Sequence, residues 1–249
     1  MNDDLMDKVL FGDCLDLMPK IADKSIDLIL CDLPYAVSKN HWDLIIDPVR
    51  MWEQYERIIK DNGAIVLTAT QPFTSKLVMS NMKLFKYEWI WRKTIGSGQL
   101  NAKNQPLRVH ESVLVFYKKP PTYNQQLRVG EPYHAKRKAT FEGPGYNKQA
   151  PSETVNEGTR VPASVLDFSN PRIKNGHSTQ KPVALMEYLI KTYTDEGQTV
   201  LDNALGSGTT AVAAVNTNRH FIGIEKDPVW YQRATDRIEE AVSQRQSTE

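Results

Sequence analysis

The sequence predicts an α/β fold in which helices cover both faces of a mostly parallel sheet. Strand-like and helix-like periods alternate along residues 8–118 and again along residues 182–242. Several strands are continuous apolar runs, as is usual for parallel strands buried on both faces. A glycine-rich turn at 206–208 joins one such strand to a helix. Together these observations favour a sheet that binds a ligand at the carboxyl ends of its strands.

Residues 8–118 contain five predicted strands and three predicted helices. The strands follow from apolar, β-branched runs, and they span residues 8–13, 25–31, 63–69, 87–93 and 112–118. The helices follow from apolar spacings of three and four, and they span residues 15–21, 47–60 and 73–83. Pro48 stands where a first-turn proline is favourable.

Regular periodicity fails between residues 119 and 176, where Pro, Gly and basic residues are frequent. This stretch is predicted to be a loop-rich insertion. Periodicity resumes with predicted helices and strands at 182–193, 199–202, 209–216, 220–225 and 228–242. The predicted organisation is therefore one domain in two halves, 1–118 and 176–249, separated by an insertion at 119–175.

Bulk composition excludes several classes of protein. The chain has 249 residues, and no apolar run approaches the roughly 20 residues that span a bilayer. The acidic N-terminus is followed by no long apolar stretch, so we expect no secretory signal. Two cysteines cannot form a disulfide framework, and a reducing cytoplasm is the expected location.

Positive charge is concentrated in the middle of the chain. Residues 92–174 carry 14 Lys and Arg against 6 Asp and Glu, a net charge of +8, whereas the whole chain is at +1. The flanking parts, 1–91 and 175–249, are mildly acidic, at −4 and −3. Such a block suits a polyanionic partner, although a solvated lysine-rich surface has the same composition.

Residues 199–214 carry a pattern typical of ligand binding. A β-branched strand ends in Asp202, turns through Gly206 and Gly208, and enters a helix at Thr209. The next strand ends in Glu225, 19 residues after Gly206, which suits an acceptor for ribose hydroxyls. No lysine follows Gly208 and the third glycine of a dinucleotide loop is absent. S-adenosylmethionine, with a ribose, an amino-acid tail and no phosphate, fits better; a simple tight turn is the alternative.

A second pattern follows the apolar strand that ends at Cys31, which is expected to belong to the core. Asp32 places a carboxylate after this strand, where it must find a partner. Pro34 has no N–H, so the Leu33 carbonyl is left as an acceptor, and Tyr35 adds an aromatic ring. Two acceptors and a ring suit a planar group that bears an amino group. A strand–turn with a surface tyrosine remains the alternative.

These segments resemble the β class of DNA amino-methyltransferases. Residues 32–35 (DLPY) resemble the D-P-P-Y signature, and residues 205–210 (LGSGTT) resemble the F-x-G-x-G cofactor loop. Residues 177–182 (HSTQKP), 9–14 (VLFGDC) and 110–118 (HESVLVFYK) resemble further family elements. The matches occur in the order catalytic motif, variable region, cofactor motif, which is the order of the β class.

The resemblance implies a Rossmann-like, seven-stranded sheet of the S-adenosylmethionine-dependent methyltransferases, circularly permuted, with an inserted target-recognition region. Asp13 and Cys14 would lie against the cofactor adenine, Glu225 would hold the ribose, and Lys181 would close over the cofactor carboxylate. The residues implied to bind the cofactor are Asp13, Cys14, His177, Gln180, Lys181, Asp202, Leu205, Gly206, Ser207, Gly208, Thr209, Thr210 and Glu225.

The implied reaction is direct methyl transfer to adenine N6 in a flipped DNA base, with Asp32, Leu33, Pro34 and Tyr35 as the catalytic residues and no metal. Cytosine N4 is the close alternative, for which Ser in place of Asp32 would be more typical. A non-catalytic nucleic-acid-binding module is a second alternative, and a nicotinamide oxidoreductase is disfavoured by the missing glycine. Dimerisation is an expectation from the class. The residues implied to follow DNA phosphates are Lys103, Arg108, Arg128, Lys136, Arg137 and Lys138.

Two departures from the family pattern are visible. Leu33 replaces the usual first proline, but its expected contribution is a backbone carbonyl, so we expect activity to survive. Asn203 and Ala204 replace the more usual Pro-Phe before the cofactor loop. This second change bears on how the methionine end of the cofactor is packed.

Overall fold

One sheet of eight strands forms the centre of the larger of two structural units. The computed structural model describes residues 4–35, 45–139, 150–171 and 180–247. Within these ranges, the larger unit comprises the residues before Gln125 and after Ala163, and the smaller unit lies between them. The ends of the predicted insertion, 119–124 and 164–171, therefore belong to the larger unit.

The strands and helices in the described ranges are numbered in chain order. The strands are β1 (Lys8–Phe11), β2 (Ile26–Asp32), β3 (Ile59–Ala69), β4 (Phe85–Ser97), β5 (Arg108–Phe116), β6 (Arg128–Val129), β7 (Tyr133–Arg137), β8 (Ser152–Asn156), β9 (Thr159–Arg160), β10 (Val165–Asp167), β11 (Thr199–Asp202) and β12 (His220–Glu225). The α-helices are α1 (Cys14–Leu17), α2 (Pro48–Ile58), α3 (Phe73–Ser80), α4 (Val183–Tyr193), α5 (Thr209–Asn216) and α6 (Pro228–Gln246). Short 3-10 turns occupy Met18–Lys20 and Gln99–Asn101.

The order of the main sheet is β1-β12-β11-β2-β3-β5-β4-β10. Neighbouring strands are parallel except where β5 lies between β3 and β4, and it runs antiparallel to both. The predicted α/β class with a mostly parallel sheet is confirmed. The first strand pairs with the last along its whole length, from Lys8 opposite Ile222 to Phe11 opposite Glu225, as the permuted arrangement requires.

The predicted strand number of seven is one too few. The eighth strand, β10, adds in parallel to the edge at β4, and it lies in the stretch predicted to be loop. It has three residues and buries only Leu166, so no alternation of apolar and polar residues signals it. The smaller unit also contains strands, since β6 pairs with β9 and β7 with β8. All residues of β7 are exposed, which hides their period.

Successive apolar residues of the strands alternate between the two faces of the sheet. Leu28 and Leu30 of β2 pack with α4, α5 and α6 on one face, whereas Ile29 and Cys31 pack with α1, α2 and α3 on the other. Cys31 is thus a core residue, as predicted. Burial on both faces explains why residues 28–31 of β2 are all apolar. No helix of the described ranges has the length and apolarity that crossing a bilayer requires.

β11 and β2 are neighbours in the sheet, and the connections from them lead toward opposite edges of the sheet. From β11 the sheet continues through β12 to β1, and from β2 it continues through β3 to β5. In open α/β sheets such a switch point opens a crevice at the carboxyl ends of the strands, where ligands bind. Asp202 and Asp32 end the two strands at this point.

Candidate active site

A cavity of about 1120 Å³, including its open mouth, lies at the carboxyl ends of β1, β12, β11 and β2. It brings together nearly all the residues that the sequence predicted to form the site. The predicted residues that line it are Asp13, Cys14, Asp32, Leu33, Pro34, Tyr35, Gln180, Lys181, Asp202, Leu205, Gly206, Ser207, Thr209, Thr210 and Glu225. His177 lies outside the described residues.

Asp32, at the carboxyl end of β2, accepts hydrogen bonds from three side chains. Its Oδ1 accepts hydrogen bonds from the Tyr35 hydroxyl at 2.5 Å and from the Thr68 hydroxyl. Its Oδ2 accepts a hydrogen bond from the Lys181 ammonium at 2.5 Å. Thr68 lies directly opposite Asp32 in the register of β2 and β3. The expectation that a carboxylate here needs partners is therefore confirmed, and three donors hold its orientation.

Lys181, for which a role at the cofactor carboxylate remains a prediction, forms ion pairs within the chain. Its ammonium lies between two carboxylates of the chain, those of Asp32 and Glu111, with 3.4 Å to Oε2 of Glu111. The side chain is only 4% exposed. Burial by itself would lower the pKa of Lys181, but the charges of Asp32 and Glu111 outweigh burial and raise it. A buried ammonium needs such partners, and in this arrangement it is directed at the catalytic motif.

Tyr35 turns its hydroxyl inward. The hydroxyl contacts Asp32 and lies 3.1 Å from Oγ1 of Thr68, and the ring packs at 5.2 Å from the ring of Phe73. Burial, followed by the charge of Asp32, raises the pKa of Tyr35 well above its usual value. The phenol therefore stays protonated and serves as a donor to Asp32. Its predicted use as a stacking surface for a base remains a prediction.

The glycine-rich loop is tied to β12 through Glu225. Oε2 of Glu225 accepts the Gly206 N–H at 2.7 Å, and Oε1 accepts the Asp227 N–H at 2.8 Å. Gly206 has a φ of +55°, a conformation that favours glycine. After the loop, α5 begins without a side-chain cap, and Thr209 and Thr210 of its first turn line the cavity.

Gly208 has a packing role instead of lining the cavity. Its φ is +79°, and a Cβ built on it would lie 3.2 Å from Ala234 of α6. The glycine thus permits α6 to approach the start of α5. Its neighbours Ser207 and Thr209 line the cavity, and contact of Gly208 itself with the cofactor remains a prediction.

Asp202 supplies the buried carboxylate at the switch point. It is 4% exposed and accepts hydrogen bonds from the Ala204 N–H at 3.1 Å and from Thr210. Burial raises the pKa of Asp202 to about 6, against the opposing effect of these hydrogen bonds. A cationic group in the cavity would offset this cost, which suits the ammonium of an amino-acid tail.

The cavity fits S-adenosylmethionine on several counts. Asp202 is placed for the ammonium, Glu225 is placed beside the loop for the ribose, and Ile46, Met186 and Trp230 supply apolar wall. Next to Asp202, the Asn203 amide has a buried Nδ2 with no hydrogen-bond partner among the described residues. An unpaired buried donor at a cavity wall is expected to find its acceptor in a ligand.

Three contributions to the site were not predicted. Thr68 contacts Asp32, Glu111 contacts Lys181, and Arg237 of α6 donates to the Ser207 carbonyl at 2.9 Å and to Thr209 at 3.0 Å. Gln180 lies beside the same guanidinium, with its amide oxygen 3.1 Å from Arg237 in the orientation that satisfies both groups. Glu111 had a visible signal, since it is a charged residue directly before the apolar strand segment 112–116. Arg237 had none, because its helix is amphipathic and basic residues are common there.

The residues predicted to contact DNA are all exposed. Lys103 and Arg108 belong to the larger unit. Lys103 lies between β4 and β5, and Arg108 is the first residue of β5. Arg128, Lys136, Arg137 and Lys138 belong to the smaller unit. Lys136 lies 3.3 Å from Glu153, and Arg128 reaches the Val161 carbonyl at 3.4 Å.

Comparison with known proteins agrees with this geometry. The profile of the DNA methylase family matches residues 26–236. The chain is 30% identical to the DNA adenine methyltransferase YhdJ of Escherichia coli (strain K12), over 94% of this chain and 83% of that protein. It is 26% identical to the type II methyltransferase M.HpaI of Haemophilus parainfluenzae, over 93% of this chain and 74% of that protein.

Solved structures share the fold. The M1.HpyAVI–SAM complex superposes with a TM-score of 0.63 at 22% identity, covering 92% of this chain and 98% of that one. The PvuII cytosine-N4-specific DNA methyltransferase superposes with a TM-score of 0.68 at 14% identity, covering 95% of this chain and 91% of that one. The chain therefore belongs to the DNA methylase family, the N6 and N4 amino-methyltransferases that use S-adenosylmethionine.

Proposed function

We propose that this protein transfers a methyl group from S-adenosylmethionine to N6 of adenine in DNA, acting on a base flipped out of the duplex. The observation that carries the proposal is the Asp32 carboxylate, held by three donors at the rim of a cavity that also contains the glycine-rich loop. A fixed carboxylate beside a cofactor site suits an amino-group acceptor, because the amino group presents two N–H donors.

The proposed chemistry depends on orientation and electrostatics. The amino nitrogen of adenine is a poor nucleophile because its lone pair is delocalised into the ring. Asp32 and the Leu33 carbonyl would accept its two N–H bonds, which favours a tetrahedral nitrogen with an available lone pair. The cofactor supplies an electrophilic methyl group on a sulfonium. Asp32 would also take the proton that the methylated nitrogen loses.

The residues that would hold the cofactor line one cavity. Asp202 would pair with its ammonium, Glu225 would accept from its ribose hydroxyls, and Asp13 with Cys14 would flank its adenine. Asp13 itself caps α1 by accepting the Leu15 N–H at 2.8 Å. Burial raises the pKa of the Cys14 thiol, so we expect a neutral side chain there.

Adenine is favoured over cytosine by two features. The motif at 32–35 begins with Asp, where Ser would be more typical of cytosine-N4 enzymes. The relative with 30% identity is an adenine methyltransferase. Cytosine N4 is the second candidate, since the reacting amino group has the same geometry and the family includes both activities.

Recognition of DNA is assigned to the basic part of the chain. The residues of 119–175 would form the target-recognition region, with Arg128, Lys136, Arg137 and Lys138 on phosphates together with Lys103 and Arg108 of the larger unit. Tyr35 would replace the stacking that a flipped base loses. A homodimer remains a prediction from the β class.

The proposal is tested by incubating the purified chain with labelled S-adenosylmethionine and unmethylated DNA, followed by nucleoside analysis. N6-methyladenine, absent with Asp32→Ala, is the expected result. If the product is N4-methylcytosine instead, the acceptor is cytosine and the assignment to adenine is wrong. A matched control is Asp27→Asn, which changes another buried carboxylate of β2 at the opposite end of the strand and should leave the product unchanged.

A further inference from the structure

Four buried or half-buried side chains of alternating charge extend away from the catalytic motif. Asp32 contacts Lys181, Lys181 contacts Glu111, and Glu111 forms an ion pair with Lys93. The side chains of Lys93 and Glu111 are each 10% exposed, and that of Asp32 is 24% exposed. Their charges sum to zero, so each ion is compensated by a neighbour.

The sheet itself sets the order of these four residues. Asp32 lies opposite Thr68 on β3, and Thr68 lies opposite Val113 on β5. Because β5 runs antiparallel, Glu111 comes two residues before Val113 and lies on the same face, at the same edge of the sheet. On the next strand, β4, Trp91 pairs with Glu111, and the Lys93 ammonium lies 5.1 Å from the Trp91 ring centroid.

Among the residues that the structure describes, the contacts of Asp32 leave one acceptor position open. A carboxylate has about four lone-pair sites, two on each oxygen. Oδ1 already receives the hydroxyls of Tyr35 and Thr68, and Oδ2 receives the Lys181 ammonium. The remaining site is on Oδ2, the oxygen that Lys181 holds. The position of Lys181 therefore decides where an incoming amino group can be accepted.

We propose that Lys181 and Glu111 are positioning residues for methyl transfer: Glu111, anchored by Lys93, fixes the Lys181 ammonium, which orients Oδ2 of Asp32 toward the target amino group. This inference rests on the amino-group transfer proposed above, but it does not depend on the choice between adenine and cytosine.

The inference separates two roles for Lys181. A lysine that holds the cofactor carboxylate would, when replaced, weaken cofactor binding. A lysine that orients Asp32 would instead lower kcat at saturating cofactor and leave the cofactor Kd unchanged. Glu111 contacts Lys181 and Lys93 but not Asp32. Its replacement should therefore also lower kcat and leave the cofactor Kd unchanged, although Glu111 lies further from the reacting atoms.

The test uses the purified full-length chain, total methyl transfer to DNA from labelled S-adenosylmethionine, and calorimetric binding of the cofactor. Glu111→Gln is expected to lower kcat by roughly ten- to hundredfold, as for loss of one charged hydrogen bond. The cofactor Kd should be unchanged. Lys181→Met is expected to lower kcat at least as much, again with the cofactor Kd unchanged.

A charge-balanced double variant tests whether the loss of kcat is caused only by destabilisation from an unpaired buried charge. Glu111→Gln combined with Lys93→Met deletes both charges of the outer pair, so no uncompensated ion remains buried and the fold should recover stability. We expect kcat to stay low in this variant, because Lys181 still lacks Glu111. The control Asp27→Asn removes the charge of Asp27 from its ion pair with the partly exposed Lys60, so it should lower the Tm and preserve kcat.

Three results would overturn the inference. One is a folded double variant with wild-type kcat. Another is a Lys181→Met variant that loses cofactor affinity but keeps kcat at saturating cofactor. A wild-type chain that transfers no methyl group to any DNA would remove the proposed function and this inference with it, and that failure is distinct because it appears before any substitution.

Discussion

The Tyr55 hydroxyl of α2 donates a hydrogen bond of 2.5 Å to Oδ1 of Asn203, and both residues are buried. This bond joins a helix from one face of the sheet to the residue that follows β11, 148 positions away in sequence. It leaves Nδ2 of Asn203 as the donor available at the cavity wall. Asn203 departs from the proline of the family pattern, and a proline side chain could not accept this bond.

Replacing Tyr55 with Phe should destabilise the protein by about 1–3 kcal/mol, because the buried Oδ1 of Asn203 loses its partner. Cofactor affinity should also fall, since the amide is then free to turn away from the cavity. Urea unfolding and calorimetric binding measure the two effects. Tyr231→Phe is the control: this tyrosine is half-buried on α6, and its ring packs edge-on against Phe11. Equal stability of the two variants would contradict the prediction.

In the loop around Asn203, the local backbone conformation was predictable from the sequence, but the long-range side-chain contact was not. The spacing of Asp202, Gly206, Gly208 and Glu225 predicts a strand, a tight turn and an acceptor, because these depend on local backbone geometry. The partner of Asn203 could not be predicted, because Tyr55 reaches it only through the packing of α2 on the sheet. Long-range side-chain pairs of this kind leave no periodic signal in the sequence.

Gly208→Ala should destabilise the protein more than Gly197→Ala. Both glycines have a left-handed φ, +79° and +76°, so each substitution carries the same backbone strain of roughly 1–2 kcal/mol. At Gly197 a Cβ meets nothing within 4 Å, whereas at Gly208 it lies 3.2 Å from Ala234. The difference between the two variants in urea unfolding therefore measures the effect of crowding against α6 alone. No difference would mean that α6 can shift to accept the methyl group.

Most of the main sheet was predictable because its strands are buried on both faces. In β2 the four consecutive apolar residues 28–31 indicate a buried strand in spite of Asp27, and the α/β alternation favours a mostly parallel sheet. The strands that were missed are short and lie in exposed or edge positions, where one residue or none is buried. There, most side chains face solvent and the strands are too short to show a period of two.

The raised pKa of Asp202 predicts a pH-dependent stability. Because burial raises the pKa from 3.8 to about 6, the folded state binds a proton more readily than the unfolded state between these values. The stability that this group contributes is thus fully present below pH 3.8 and is lost as pH rises through about 6. At pH 7 the buried charge costs about 3 kcal/mol.

Asp202→Asn should remove this dependence. The stability of the variant relative to wild type should increase as pH rises from about 4 to 7 and then level off, as measured by urea unfolding at each pH. Cofactor binding should show the opposite trend, with wild-type affinity falling below about pH 6 as Asp202 loses its charge. A difference in stability that is constant over this range would contradict the assignment of the titrating group to Asp202.

The catalytic motif was predictable in identity but only partly in its contacts. Asp32, Leu33, Pro34 and Tyr35 follow a buried strand, and that placement alone indicates the site. The contact of Lys181 with Asp32 was not predictable, because it depends on a segment 149 residues away that the resemblance assigned to the cofactor. Electrostatic partners are chosen by tertiary proximity, and charge alone does not identify them.

The basic residues at the end of β7 give a prediction about salt. Replacing Lys136, Arg137 and Lys138 with Gln should weaken DNA binding and reduce the slope of log affinity against log salt concentration. The slope should fall by about 0.9 for each phosphate that the variant no longer neutralises. All three side chains are exposed, and Lys136 lies 3.3 Å from Glu153, so it would have to exchange this partner for a phosphate. Arg137 and Lys138 are therefore expected to account for most of the effect.

A charge-matched control separates specific contacts from net charge. Lys20, Lys76 and Lys83 are also exposed, but they lie outside the basic block of residues 92–174. Replacing these three with Gln makes the same change in net charge, yet it should leave the salt slope at the wild-type value, because none of them is expected to contact a phosphate. Fluorescence anisotropy of a labelled duplex over a salt series measures both slopes. If the two triple variants lose affinity equally, the loss reflects long-range charge, and the assignment of β7 to the DNA interface is wrong.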